Sequence, residues 1–268
     1  MCNKPIGIFD SGLGGLTVLK EIHRLLPNEN LVYFGDSKRT PYGTKSKETI
    51  EHFAFQDMRF LLSKNVKAVV IACNTASSNA LEAIKREFDI PIMEVIGPGA
   101  AEGCRATKND SIGVIATPAT IESGAYEREI KAINQKAEVV LKSCPLFVPL
   151  VEEGADFWDG EIARLTARHY LTEVREQGID TLILGCTHYP LLKKVIQGAM
   201  GDGITLIDSA LSIAKTLRDG TVIEKNMSLK DGFVDIFTSD SVSRFMPLCR
   251  DILGKDNLNA EQVDIENY

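Results

Sequence analysis

Short apolar runs alternate with amphipathic segments along most of the chain. Apolar runs bounded by polar or turn residues are typical of strands covered on both faces, as in parallel sheets. They predict strands at 6–9, 31–34, 68–72, 91–96, 112–117, 139–141, 181–185, 204–207 and 234–237. Periodic segments predict helices at 16–26, 46–64, 165–175, 209–219 and 241–253, and another that ends near 88. Strands that alternate with helices imply parallel sheets built from right-handed crossovers.

The second half of the chain repeats the pattern of the first, including a cysteine that follows a buried strand in each half. We therefore expect an α/β fold of two pseudo-symmetric domains, each with a mainly parallel sheet flanked by helices. The first domain is predicted over 1–97 and completed by 209–268, and the second over 98–208. The tail after Gly254 is expected to be loose.

The two repeated cysteines, Cys73 and Cys186, are the strongest candidates for chemistry. Each is predicted at the carboxyl end of a strand and near the start of a helix, with Ser77 or Ser78 as the cap of the first helix and Pro190 early in the second. Ligands bind at such strand ends, and a helix start stabilises a thiolate. A thiol on each side of one cleft suits inversion of a C–H stereocentre, which needs a base and an acid on opposite faces.

Other segments offer polar groups near the same strand ends. The loop from Asp10 to Gly15 can hold an anion on its N–H groups or can be a tight turn that Asp10 caps, and Thr17 replaces the third glycine of a dinucleotide motif. The threonines of 117–120 and the turn 41–43 also allow a purely structural role. Asp10 near one cysteine, and Glu153 or His188 near the other, are candidates for moving protons and tuning the thiols.

Composition narrows the class of protein. With 268 residues, 44% hydrophobic and 25% charged, the chain has the composition of a globular protein. A net charge of −7 argues against nucleic acid as the main ligand. Apolar runs are too short to span a membrane, so we expect a cytoplasmic protein without a membrane partner. Six scattered cysteines without a Cys-x-x-Cys pair argue against a disulfide scaffold or a structural zinc site.

Four motifs together resemble the glutamate racemases of the cofactor-independent aspartate/glutamate racemase superfamily. They are Gly7-Ile8-Phe9-Asp10-Ser11-Gly12-Leu13-Gly14-Gly15, Pro41-Tyr42-Gly43, Cys73-Asn74-Thr75 and Gly185-Cys186-Thr187-His188-Tyr189-Pro190. The resemblance implies two flavodoxin-like domains with the active site in the cleft between them. It also implies interconversion of L- and D-glutamate for peptidoglycan synthesis, with neither cofactor nor metal, in a protein that is often a homodimer.

The resemblance also assigns roles to residues of this sequence. Cys73 would deprotonate D-glutamate and Cys186 would deprotonate L-glutamate, with assistance from Asp10, Glu153 and His188. The residues implied in binding the substrate's carboxylates and ammonium are Ser11, Pro41, Tyr42, Gly43, Asn74, Thr75, Thr117, Thr120 and Thr187.

Three other interpretations stay open on the sequence. An aspartate racemase of the same superfamily would differ mainly in the side-chain reach of its pocket. A non-catalytic amino-acid binding protein would also need a polar cleft, although it would not need a cysteine in each half. Cys73, Cys186 and His188 can alternatively be metal ligands or redox thiols, which metal analysis of the purified protein would test.

Overall fold

Ten strands form two separate sheets in the computed structural model, which describes residues 3–221, 223–226, 230–255 and 258–268. In chain order the strands are β1 Ile6–Asp10, β2 Leu31–Gly35, β3 Ala68–Ile71, β4 Ile92–Glu94, β5 Ser111–Ala116, β6 Glu138–Ser143, β7 Thr181–Gly185, β8 Thr205–Asp208, β9 Val234–Thr238 and β10 Ala260–Gln262.

The two sheets share one arrangement of strands. The first has the order β10-β9-β2-β1-β3-β4 and the second the order β6-β5-β7-β8. Every pair of neighbouring strands is parallel. In each sheet the first strand lies between the second and the third, which is the flavodoxin-like order. The predicted fold of two similar α/β halves is therefore confirmed.

Helices cover both faces of the sheets. They are α1 Leu16–Leu25, α2 Lys47–Ser63, α3 Asn74–Glu87, α4 Ile96–Ala106, α5 Pro118–Glu122, α6 Ala125–Ile133, α7 Phe147–Glu152, α8 Ala155–Trp158, α9 Glu161–Glu176, α10 Lys193–Met200, α11 Ser209–Asp219 and α12 Val242–Leu253. No helix among the described residues is long and apolar enough to cross a membrane.

Burial on both faces explains the near-continuous apolar character of the central strands. All residues of β1, β2, β3 and β7 are buried, and the side chains of each sheet pack into one apolar cluster on each face. Because side chains alternate along a strand, each residue supports one of the two layers of helices. The strand ends are thereby held firmly in position.

Two segments differ from the prediction. The strand predicted over 91–96 is only β4, because the carboxylate of Glu94 accepts hydrogen bonds from the N–H groups of Ile96 and Gly97 and begins α4. The tail was wrongly predicted to be loose. Its residues 258–268 add β10 beside β9, and the side chain of Ile265 is fully buried against the first half.

We propose the same division into domains as the sequence suggested, 1–97 plus 209–268 and 98–208. The strands of the first sheet lie in the first range, and those of the second sheet in the second range. Helix α11 supports this division because it packs against α1, although it also contacts α4. The two halves are called the first and second lobes below.

Candidate active site

The thiol of Cys73 lies at the carboxyl end of β3, where α3 begins. Cys73 itself caps the helix, because its Sγ accepts a hydrogen bond from the N–H of Ala76 at 3.4 Å; the predicted caps, Ser77 and Ser78, lie inside α3. The thiol donates to Ser11 Oγ at 3.5 Å. Burial and the nearby Asp10 raise the pKa of Cys73 to about 12, so here burial outweighs the helix start that was expected to favour a thiolate.

Cys186 occupies the corresponding end of β7 in the second lobe. Its Sγ lies 3.8 Å from Nδ1 of His188, and Nε2 of the same ring lies 3.1 Å from Oε1 of Glu152. Burial alone would lower the pKa of His188, but the hydrogen bonds to Cys186 and Glu152 raise it well above its ordinary value. Cys186, His188 and Glu152 therefore form a row in which an imidazolium can hold a negative sulfur.

The structure places Glu153 outside this row. Glu153 is exposed, whereas Glu152 is the carboxylate that reaches His188. The reason is helical periodicity: Glu152 lies four residues after Val148, which faces the cavity between the thiols, and side chains four apart share a face. The apolar pattern of α7 was the signal that would have distinguished the two glutamates.

Asp10 lies near Cys73 and also contacts the second lobe. It is fully buried, it accepts a hydrogen bond from the N–H of Gly12 at 3.1 Å, and Thr187 Oγ1 donates to its Oδ1 at 3.2 Å. Burial raises the pKa of Asp10, although the nearby His188 opposes this effect. The loop's N–H groups thus hold the protein's own carboxylate, which favours the structural interpretation of the glycine-rich loop.

Glycine at position 14 of that loop allows close contact with the other lobe. A Cβ added to Gly14 would lie 2.3 Å from Thr187 Oγ1 and 2.4 Å from His188 Nδ1. Thr17 Oγ1 also donates to the carbonyl of Thr187 at 3.0 Å. The loop therefore presses directly on the segment that carries Cys186.

Both thiols line one small cavity between the lobes. Its walls are Ser11, Thr40, Pro41, Tyr42, Gly43, Cys73, Asn74, Thr75, Thr117, Val148, Cys186, Thr187 and His188. Inside the cavity, the centre of a water molecule can occupy a volume of ≈ 20 Å³. That is space for about one water molecule, so the structure represents a closed arrangement of the lobes.

Hydroxyl and amide groups bridge the lobes at one end of the cavity. Thr75 Oγ1 lies 2.9 Å from Thr117 Oγ1 and 3.3 Å from Thr120 Oγ1, and Tyr126 Oη donates to Asn74 Oδ1 at 2.7 Å. Thr117 caps α5, as the sequence allowed. Thr120 contacts both other threonines but does not line the cavity. The buried Nδ2 of Asn74 has no partner among the described residues.

The site thus assembles most of the residues that the sequence singled out. Of the predicted set, Asp10, Thr120 and Glu153 do not line the cavity, and Thr40 and Val148 line it without having been predicted. The five described cysteines are all free. Among the described residues, no three His, Cys, Asp or Glu side chains are grouped so that they could hold a metal ion.

Comparison with known proteins agrees with this architecture. Residues 6–217 match the family described as Asp/Glu/Hydantoin racemase. A glutamate racemase of Geobacter metallireducens is 48% identical over 267 residues, which cover 98% of this chain and 97% of that protein. The chain belongs to this family of racemases. The resemblance read from its motifs is confirmed.

Solved structures extend the comparison. The crystal structure of a glutamate racemase from Francisella tularensis in complex with D-glutamate has a TM-score of 0.90 and 39% identity, and the match covers 99% of each chain. An aspartate racemase of Picrophilus torridus has a TM-score of 0.54 and 22% identity over 80% of this chain and 93% of that chain. The second likeness extends to the fold alone.

Proposed function

We propose that this protein interconverts L- and D-glutamate by acid and base catalysis with two thiols. The observation that carries the proposal is the one closed cavity that both Cys73 and Cys186 line, each just after the third strand of its own lobe. A substrate Cα held between the two sulfurs would present one face to each. Removal of its proton by one sulfur and delivery of a proton by the other would invert the centre.

In the proposed reaction Cys73 takes the Cα proton of D-glutamate and Cys186 that of L-glutamate. The base starts as a thiolate and ends as a thiol, while the opposite cysteine gives up its proton, so the two exchange states in each turnover. The imidazolium of His188 favours a negative sulfur at Cys186. At Cys73, the substrate's ammonium group would lower the cost of a buried thiolate.

We propose that the polar wall of the cavity binds the substrate. Ser11, Asn74, Thr75, Thr117 and Thr187 present hydroxyl and amide groups, and the turn Pro41-Tyr42-Gly43 presents backbone groups. Thr120 would support Thr75 and Thr117 through their hydroxyls. Asp10 would act through Thr187, and Glu152, rather than Glu153, would act through His188.

Space for about one water molecule is too small for an amino acid, so substrate entry requires the lobes to separate. Closure would then exclude water while a very weak carbon acid loses its proton. The hydroxyls of Thr75 and Thr117 meet between the lobes, so hydrogen exchange of the backbone amides around these two residues should slow when glutamate is present. Exchange that is identical with and without glutamate would contradict lobe motion.

Glutamate is favoured over aspartate because glutamate racemases match this chain at much higher identity and over nearly its whole length. We further propose that the product D-glutamate supplies peptidoglycan synthesis and that the protein acts in the cytoplasm as a homodimer, without cofactor, metal, nucleic acid or membrane. These points rest on the resemblance to the family.

The test is proton NMR of D-glutamate and, separately, L-glutamate in heavy water with chelator and no added cofactor. We expect the Cα–H signal to disappear and the optical rotation to decay to zero from both enantiomers. Cys73→Ala and Cys186→Ala should each abolish racemisation. Activity on aspartate alone would favour the alternative substrate, and inertness toward every amino acid, or stoichiometric metal, would overturn the two-thiol mechanism.

A further inference from the structure

A buried polar cluster lies directly behind the turn 41–43, outside the cavity. Asp36 and Asp57 are both fully buried, and the hydroxyl of Tyr42 contacts both of them. Arg39 completes the cluster, with Nε 2.6 Å from Asp36 Oδ2 and a terminal nitrogen 3.3 Å from Asp57 Oδ1. Two buried carboxyl groups thus face one guanidinium.

The hydrogen bonds of Tyr42 show how protons are distributed in this cluster. Its Oη makes a short hydrogen bond to Asp36 Oδ2 and lies 3.0 Å from Asp57 Oδ2. A phenol has only one proton, so it can donate to only one of the two carboxyl groups. The other contact is a hydrogen bond only if that carboxyl carries a proton and donates it to Tyr42.

The remaining contacts distinguish the two carboxyl groups. Asp36 also accepts a hydrogen bond from Ser239 Oγ at 2.7 Å and has the shorter contact to Arg39. Within the described part of the chain, Asp57 has, besides the contact to Tyr42, only the longer contact to Arg39. A carboxylate with three donors keeps its charge, whereas a buried carboxyl with weak pairing takes up a proton.

We propose that Asp57 is protonated and donates to Tyr42, that Asp36 carries the negative charge, and that this arrangement positions the turn 41–43 for substrate binding. The cluster is then neutral overall, with one carboxylate opposite one guanidinium. Burial, followed by the neighbouring Asp36, raises the pKa of Asp57 well above its ordinary value, in agreement with the geometry. Asp36 and Asp57 are positioning residues that act through Tyr42, so the inference rests on the proposed function.

The position of Tyr42 matters because the other side of the turn is in close contact with the second lobe. A Cβ added to Gly43 would lie 2.6 Å from Cβ of Thr117, so the turn already touches the second lobe. A shift of Tyr42 would therefore move the backbone that faces the substrate and disturb the contact between the lobes.

The experiment compares Asp57→Asn with Asp36→Asn, which are isosteric changes a few atoms apart. An asparagine at 57 still donates to Tyr42 and adds no charge, so we expect KM for glutamate to change by less than about 2-fold. An asparagine at 36 removes the negative charge opposite Arg39 and leaves one acceptor oxygen for Tyr42, Arg39 and Ser239 in place of two, and we expect KM to rise about 10-fold or more. Because the turn does not choose between the faces of Cα, the rise should be equal for both enantiomers, with kcat little changed.

A second readout is the infrared absorption of a protonated carboxyl group. We expect the difference spectrum between the wild-type protein and Asp57→Asn to show one such band that the variant lacks, so the proton assignment can be tested even if Asp36→Asn does not fold. Equal KM changes in the two variants, an unchanged KM in Asp36→Asn, or identical carboxyl absorption in Asp57→Asn and the wild-type protein would each overturn the inference. Loss of folded enzyme alone would lower kcat and leave KM unchanged. A wild-type protein inert toward glutamate would instead overturn the proposed function.

Discussion

At the scale of single residues, the two ends of the cavity differ in how they would hold charge. Cys73 has a hydroxyl and a backbone N–H as its neighbours, while Cys186 adjoins an imidazole that is itself bound to a carboxylate. The two lobes thus repeat the strand that precedes each cysteine, but they do not repeat the charged groups around its thiol. Substitutions near Cys186 should therefore change kcat by different factors for L-glutamate and for D-glutamate.

Glu152 and Glu153 provide a matched pair for testing the row. In Glu152→Gln the imidazolium of His188 loses its charged partner. We expect kcat to fall about 10-fold, which corresponds to a decrease of about one unit in the pKa of His188. Glu153→Gln should leave kcat unchanged because this side chain is exposed. Racemisation rates from each enantiomer measure the effect. Equal losses in the two variants would refute the assignment.

His188 should also make stability depend on pH. Its pKa in the folded protein lies well above the value of about 6.5 expected for the unfolded chain. The stability that the imidazolium contributes is therefore fully present below about pH 6.5 and is lost as pH rises through the folded pKa. Urea unfolding should show a difference between wild type and His188→Asn that is largest at low pH and shrinks as pH increases. A difference that grows with pH would contradict this.

The choice between Glu152 and Glu153 shows where sequence reasoning reached its limit. The position of both cysteines at strand ends follows from apolar runs, and the structure agrees. Which of two adjacent carboxylates faces inward depends on the helix that carries them, and α7, whose buried residues are Phe147, Val148 and Val151, was not predicted. The polar cluster behind Tyr42 was missed because Asp36, Arg39 and Tyr42 lie in the loop after β2, and Asp57 is a charged residue on the buried side of α2, which an apolar periodicity does not indicate.

At the scale of elements, the glycine-rich loop after β1 is in direct contact with the second lobe. Gly14→Ala would push its Cβ into Thr187 and His188, and overpacking of this kind costs about 1–3 kcal/mol. We expect lower stability and lower activity in both directions, measured by urea unfolding and racemisation.

Gly198→Ala is the control for this substitution. Gly198 is exposed within α10, and a Cβ there meets nothing within 4 Å. Alanine should stabilise that helix by roughly 0.5–1 kcal/mol without a change in activity. If Gly14→Ala were equally benign, the close approach at the loop would have no functional importance.

Strands and long helices were predicted well because their apolar periodicity is local information. The start of α4 was missed because Glu94 interrupts an apolar run, and a side-chain cap after a strand is not visible in hydropathy. The tail was missed for another reason: β10 is short, with two exposed residues, and it is fixed by pairing with β9. Only tertiary contacts reveal such an edge strand.

At the scale of the whole molecule, the tail closes the first lobe. Ile265 is fully buried, its carbonyl accepts a hydrogen bond from Gln56 at 3.4 Å, and the ring of Tyr268 packs edge-on against Phe60. Ile265→Ala should therefore lower the free energy of unfolding by about 2–5 kcal/mol, which urea denaturation measures. Exposed Glu266→Ala is the control and should have little effect. A negligible loss in Ile265→Ala would mean that the tail is not part of the folded lobe.

The placement of β9 and β10 also sets an order of events during synthesis. The second lobe has all four of its strands once residue 208 has left the ribosome, whereas the first lobe waits for residues near the end of the chain. Although domains usually fold in the order of translation, here the half that begins first must be completed last. Cys186 would thus lie in a finished sheet while the sheet that carries Cys73 still has an open edge at β2.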